Sequence, residues 1–103
     1  MMNNIILVGK LSTIKEIENG IIISVTIPSR IKNENGEYEY DYVDCYCYGA
    51  IADTTKEYCK ENDTIGVKGR IRTTYLKGEN EMMIIAERIT FLSSNPNLKK
   101  EDE

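Results

Sequence analysis

A chain of 103 residues holds one domain with a single core, and its 41% hydrophobic and 29% charged residues are ordinary for a globular fold. Its net charge of −4 argues against a generic polyanion binder, whose affinity needs a basic surface, while leaving room for a local basic groove. Apolar runs such as Ile5 to Gly9 are too short to span a membrane, and the absence of histidine removes the commonest general base.

The opening MMNNIILVGKL lacks the basic start, long apolar stretch and cleavage site of a signal peptide, so a cytoplasmic location is expected. In residues 4–11 apolar side chains occupy both parities: Ile5, Leu7 and Leu11 against Ile6 and Val8. Such a strand is buried on both sides. One side belongs to the core, and Ile6 and Val8 are candidates for the interface with a partner subunit. Asn19-Gly20 marks a hairpin turn. Residues 21–29 alternate, with Ile21, Ile23, Val25 and Ile27 on one face, and Pro28 is expected to end the central part of that strand. A second turn signal, Asn35-Gly36, follows in a polar stretch.

Residues 38–49, YEYDYVDCYCYG, place five tyrosines on even positions. In a strand these share one face. On the odd face Val43, Cys45 and Cys47 suit a core, but Glu39 and Asp41 do not. The first part is therefore expected to project as a solvated hairpin arm, entering the barrel from Tyr42 onward. With Cys59 the cysteines number three, whereas a zinc site needs about four ligands, so they are read as reduced core residues. Residues 50–62 predict a helix of about three turns, with a capping-box spacing at Thr54 and Glu57 and a stripe of Ile51, Thr55, Tyr58 and Cys59. Asn62 suits the helix exit. Residues 63–75 alternate again, Ile65, Val67 and Ile71 against Lys68, Arg70 and Arg72, and Gly66 and Gly69 suggest bulges. After a turn at 77–80, residues 82–92 form the last strand, and 93–103 read as a polar, disordered tail.

The order strand, strand, strand, helix, strand, strand is that of an OB-fold, an all-β five-stranded, partly open barrel with one short helix between strands 3 and 4. Residues 1–92 are taken as this domain. Catalysis is poorly served: there is no phosphate loop and no base beside Cys59. The chain is read as a non-enzyme without cofactor or metal.

What stands out is aromatic plus basic. Single-stranded nucleic acid is gripped by aromatic platforms and basic grooves. Tyr42, Tyr46 and Tyr48 supply the first, with Tyr40 peripheral; Lys68, Arg70 and Arg72 supply the second. Arg30 and Lys32 flank the second hairpin, and Tyr75 begins the last one. The same tyrosines also suit a sheet cover or a subunit interface, and the same cations a solvated outer face.

Four stretches resemble the bacterial single-stranded DNA-binding protein family: NIILVGKL (4–11), DYVDCYCYG (41–49), EYCKEN (57–62) and IGVKGRIRT (65–73). The resemblance implies an OB-fold that binds single-stranded DNA without base specificity and assembles as a homodimer or homotetramer. It implies that Tyr42 and Tyr48 are the stacking aromatics of the third strand, and that Arg70 and Arg72 fall in the basic fourth strand. It also implies a role in DNA replication, recombination or repair. The departures are an absent tryptophan, Arg30-Ile31 in place of an aromatic, and Tyr75 one position before the family aromatic, which aligns with Leu76. Asp44 also stands on the tyrosine face, and the long acidic-hydrophobic tail is missing. These imply weaker DNA binding. Two other readings stay open: a primosome-type adaptor dimer meeting replication-restart proteins, and a purely homo-oligomeric interaction module.

Overall fold

The structure is a computed structural model that describes residues 1–93. Its elements are β1 (Ile5–Ile17), β2 (Gly20–Lys32), β3 (Tyr38–Tyr48), α1 (Ala50–Tyr58), β4 (Thr64–Leu76) and β5 (Glu79–Ser93). The strands close into one barrel in the order β1-β2-β3-β5-β4. This is the predicted OB arrangement, with α1 between β3 and β4 and with the barrel closed. The expected tail lies, from residue 94, outside the described residues.

Closure depends on β1 serving two neighbours. Its first half pairs with β4, from Ile5↔Gly69 to Lys10↔Thr64, and its second with β2, from Lys10↔Thr26 to Ile17↔Gly20. Between them the register slips at Ser12, whose hydroxyl donates to the Ser24 carbonyl at 3.0 Å and lies 2.8 Å from the Thr26 hydroxyl. The bulge bends the strand and lets it change partners. β1 thus runs six residues beyond the apolar run that announced it. Asn3 extends the β1–β4 ladder with its side chain, donating to the Ile71 carbonyl and accepting from the Ile71 N–H at 2.7 and 2.9 Å.

The turns differ in detail from their sequence signals. The β1–β2 loop is Glu18–Asn19, with Asn19 at φ 68°, and Gly20 is already in the ladder opposite Tyr48. Gly20 is needed there for close approach, because a Cβ would collide with the Cys47 carbonyl oxygen. The regular β2–β3 register ends at Pro28↔Tyr40, as expected, but β2 itself continues to Lys32 across a register slip in which Arg30 sits at φ 69°. Asn33 shapes the following loop, its side-chain oxygen accepting from the N–H groups of Asn35 and Glu37 at 2.9 and 3.0 Å. In the β4–β5 loop only Lys77 and Gly78 leave the ladder, both at positive φ.

The core is the odd face of β2 and β3 against the inward face of β4. Leu11, Ile21, Ile23, Val25, Cys45, Cys47 and Ile65 are fully buried, and Ile84 and Ile89 of β5 pack against them. Each such aliphatic side chain contributes about 1.5–3 kcal/mol through burial. A bulge opposite Lys68 and Gly69 brings β5 so near that a side chain at Gly69 would meet the Ile85 carbonyl oxygen.

α1 covers one side of the barrel with Ala52 and Thr55 buried and Ile51 half-buried. The Thr54–Glu57 capping box does not form, because the helix starts at Ala50 behind Gly49 with no side-chain cap. Tyr58 is exposed rather than part of the buried stripe, and its ring leans on Phe91 at 6.3 Å. The helix ends before Asn62, which instead sits in the next turn at φ 74° and donates its N–H to the Leu11 carbonyl at 2.7 Å.

Candidate nucleic-acid interface

The odd residues of β3 go inward, so its even residues form an outer face. Tyr42 and Tyr48 expose 69% and 40% of their surface, and Tyr46 between them is half-buried. The register explains the difference: Tyr46 lies between Ile22 of β2 and Ile85 of β5, which crowd its flanks. Its ring stacks on Tyr48, centroids 6.5 Å apart and planes 20° from parallel. That is an offset aromatic pair. Tyr42 stands alone, opposite Thr26.

The basic row joins this face through β5. Ile85 pairs with Tyr46 on one side and with Arg70 on the other, so Tyr46, Ile85 and Arg70 form one line across three strands. Arg70 is then about 10 Å from Tyr46, two strand spacings away. Lys68, Arg70 and Arg72 are all exposed and point outward while Ile65 and Val67 point in. Beside them, Lys68 pairs with Ile6 of β1 and with Arg88 of β5.

Other candidates lie on the arms. Glu39 and Asp41 are exposed with Tyr38 and Tyr40, as expected of a projecting hairpin. Lys32 holds its ammonium 5.1 Å from the Tyr38 ring centroid, a cation–π contact at the base of that arm. Arg30 is exposed at the register slip of β2. Tyr75 is exposed too, but at odd parity to Arg70 and Arg72 and near the β4–β5 loop, so β4 does not align it with the basic row.

Two cations escaped sequence reasoning. Lys10 pairs with Thr26, which pairs with Tyr42; Lys15 pairs with Ile22, which pairs with Tyr46. Both are exposed on the tyrosine face. Their strand was read as a core and interface element up to Leu11, and nothing in the linear sequence indicated the bulge at Ser12 that sets their register. An open groove of about 560 Å³ borders Lys10, Thr26, Pro28 and Tyr40. A smaller cavity of about 240 Å³ between α1 and β5 contains none of the candidate tyrosines.

On the outer face of β1, Ile6 is 72% exposed and Val8 53%. They form an apolar pair that the single chain leaves uncovered. The cysteines, by contrast, are buried and unpaired. Burial pushes the Cys45 thiol up to about 12 and those of Cys47 and Cys59 to about 11, so none is a thiolate near neutrality. Among the described residues no cluster of three or more His, Cys, Asp or Glu could hold a metal ion.

Comparison with known proteins identifies the family from the sequence and the fold from solved structures. Residues 2–92 match the profile of the single-strand binding protein family. Single-stranded DNA-binding protein B of Bacillus subtilis is 29% identical, with 99% of this chain and all of that protein covered. Single-stranded DNA-binding protein 1 of Clostridium acetobutylicum is 30% identical over 90% of this chain and 96% of its own. Among solved structures, a small single-stranded DNA-binding protein of Mycoplasma pneumoniae superimposes with a TM-score of 0.69 at 18% identity, covering 92% of this chain and 99% of that one. A Plasmodium falciparum protein, solved in complex with single-stranded DNA, gives 0.67 at 20% identity, with 90% and 97% covered. At these identities the two structures bear on the fold alone.

Proposed function

The chain belongs to the single-strand binding protein family, and on that premise we propose that it binds single-stranded DNA by stacking bases on β3 and pairing phosphates with the cations around it. The family is one of DNA-binding proteins rather than enzymes, in line with a chain that has no histidine. The observation that carries the reading is the row Tyr46–Ile85–Arg70, a continuous outer surface linking a stacking platform to a basic strand. Tyr42 and Tyr48 are the main platforms, with Tyr46 packed between them. Lys68, Arg70 and Arg72 meet phosphates on one side, and Lys10 and Lys15 on the other. Arg30, Lys32 and Tyr40 extend the contact along the β2–β3 arm, and Tyr75 does so on the β4–β5 arm. No fixed sequence is required, because every base offers a flat face.

The same reading includes self-assembly through Ile6 and Val8, whose exposed side chains a second copy would cover, giving a homodimer or homotetramer. Residues 1–92 act as the binding domain. No described helix is long and apolar enough to cross a membrane, and a cytoplasmic role in replication, recombination or repair is proposed. Protein partners of replication restart would meet the assembled form.

Tyr42→Ala and Tyr48→Ala test the reading. Each removes about 1–3 kcal/mol of affinity for an oligo-dT strand if it stacks a base, while the assembled mass measured by sedimentation stays unchanged. Loss of assembly with these substitutions would place the tyrosines in a subunit interface and overturn the platform.

A further inference from the structure

We propose that Asp44 gives the tyrosine platform a base preference, favouring bases that present an exocyclic amino group over those that present a carbonyl at the same place. The inference rests on the DNA-binding reading above and deepens it. Asp44 is exposed at the centre of the outer face of β3, with Tyr42 and Tyr46 two residues away on either side. Side chains so spaced are about 7 Å apart along the strand, so a base stacked on either ring lays its edge over the carboxylate. Across the sheet Asp44 meets Ser24 of β2, and beyond it Thr13 of β1. Neither cancels its charge. Among the described residues the one ion pair joins Lys56 to Glu16, and no side-chain hydrogen bond engages Asp44.

A bare carboxylate on a DNA-binding face repels phosphate, unless phosphates run elsewhere. Here they have another route. Lys10 and Lys15 sit two strands from β3, in the rows that contain Tyr42 and Tyr46 and on either side of the Asp44 row. A backbone held by these lysines, or by Lys68, Arg70 and Arg72 two strands away on the β4 side, runs about 10 Å from Asp44 and turns its bases, not its phosphates, toward β3. The ionised carboxylate accepts hydrogen bonds and donates none. Cytosine offers its N4 amino group and adenine its N6, whereas thymine and uracil present O4, an acceptor facing an acceptor.

The test compares oligo-dC with oligo-dU of equal length, which differ in the 4-amino and 4-oxo groups and the associated N3 proton. Both are titrated by fluorescence anisotropy into the full chain at one low salt concentration. The unaltered chain is expected to favour oligo-dC by about fivefold, the lower end of what one base-edge contact supplies. Asp44→Ala is expected to bring the ratio near one, mainly by strengthening binding to oligo-dU. Asp44→Asn, able to donate to O4 as well as accept from N4, is expected to lose the preference too. Equal affinities in the unaltered chain overturn the proposal. So does a ratio that Asp44→Ala leaves unchanged while both affinities rise, because Asp44 is then only a repulsive charge. Failure of both oligomers to bind at low salt overturns the DNA-binding reading itself, which keeps the two failures apart.

Discussion

The thiols of Cys45, Cys47 and Cys59 ordinarily ionise at 9.0, but burial holds their protons to about 12, 11 and 11. In the unfolded chain they ionise nearer their ordinary value, so the folded state binds more protons between pH 9 and 11–12. Their contribution to stability is complete below pH 9 and is lost as pH rises through the folded values. A denaturant series should therefore show a midpoint insensitive to these thiols near pH 7–8 and falling above about pH 9, and a maleimide should label the native chain far more slowly than the unfolded one. Rapid native labelling at pH 7 would contradict this. The inward direction of Cys45 and Cys47 was legible from alternation together with their apolar character and that of Val43, which put Tyr42 and Tyr48 on the opposite face. That Tyr46 is half-buried was not, because it depends on Ile85 of a strand thirty-nine positions further along the chain. Lys10 and Lys15 were missed for a similar reason: their rows are set by register, which no local pattern encodes.

At the scale of the elements, alternation located β2, β3 and β4 because each presents one face to the core, and β5 was read as the strand that follows the last turn. β1 was read short because residues 12–17 lie beyond a bulge and carry few apolar groups. The helix began earlier than its capping signal, since α1 is held by packing of Ala52 and Thr55 rather than by a side-chain cap. The first half of β1 retains one unanswered feature, the exposed pair Ile6 and Val8. Changing both to glutamate puts two carboxylates on a face that a second copy would bury. Sedimentation should then show monomer in place of oligomer, with the circular dichroism of the fold retained, since neither residue lies in the core. About 1.5–3 kcal/mol of burial per side chain and per copy is at stake. An unchanged assembled mass would remove this face from the interface.

At the scale of the whole molecule, the element order and the family stretches pointed to the barrel, but the closing pair that makes one surface of two sequence features was not legible. β3 and β5 touch in parallel at Cys45↔Ile84 and Tyr46↔Ile85, and that contact joins tyrosines to arginines. The net charge of −4 does not oppose this, because many of the acids are exposed away from that surface, such as Glu39 on the arm, Glu81 near the start of β5 and Asp53 on α1, while Lys10, Lys15, Lys68, Arg70 and Arg72 flank the tyrosines. The central claim is that stacking and phosphate pairing act together on that surface. It is tested most directly by titrating oligo-dT against the chain's tyrosine fluorescence, free of tryptophan, over a range of salt. Binding should quench the fluorescence, with an affinity that falls with salt at a log–log slope of about −2 if three of the cations meet phosphates, and residual binding from stacking at high salt. No binding even at low salt would contradict it.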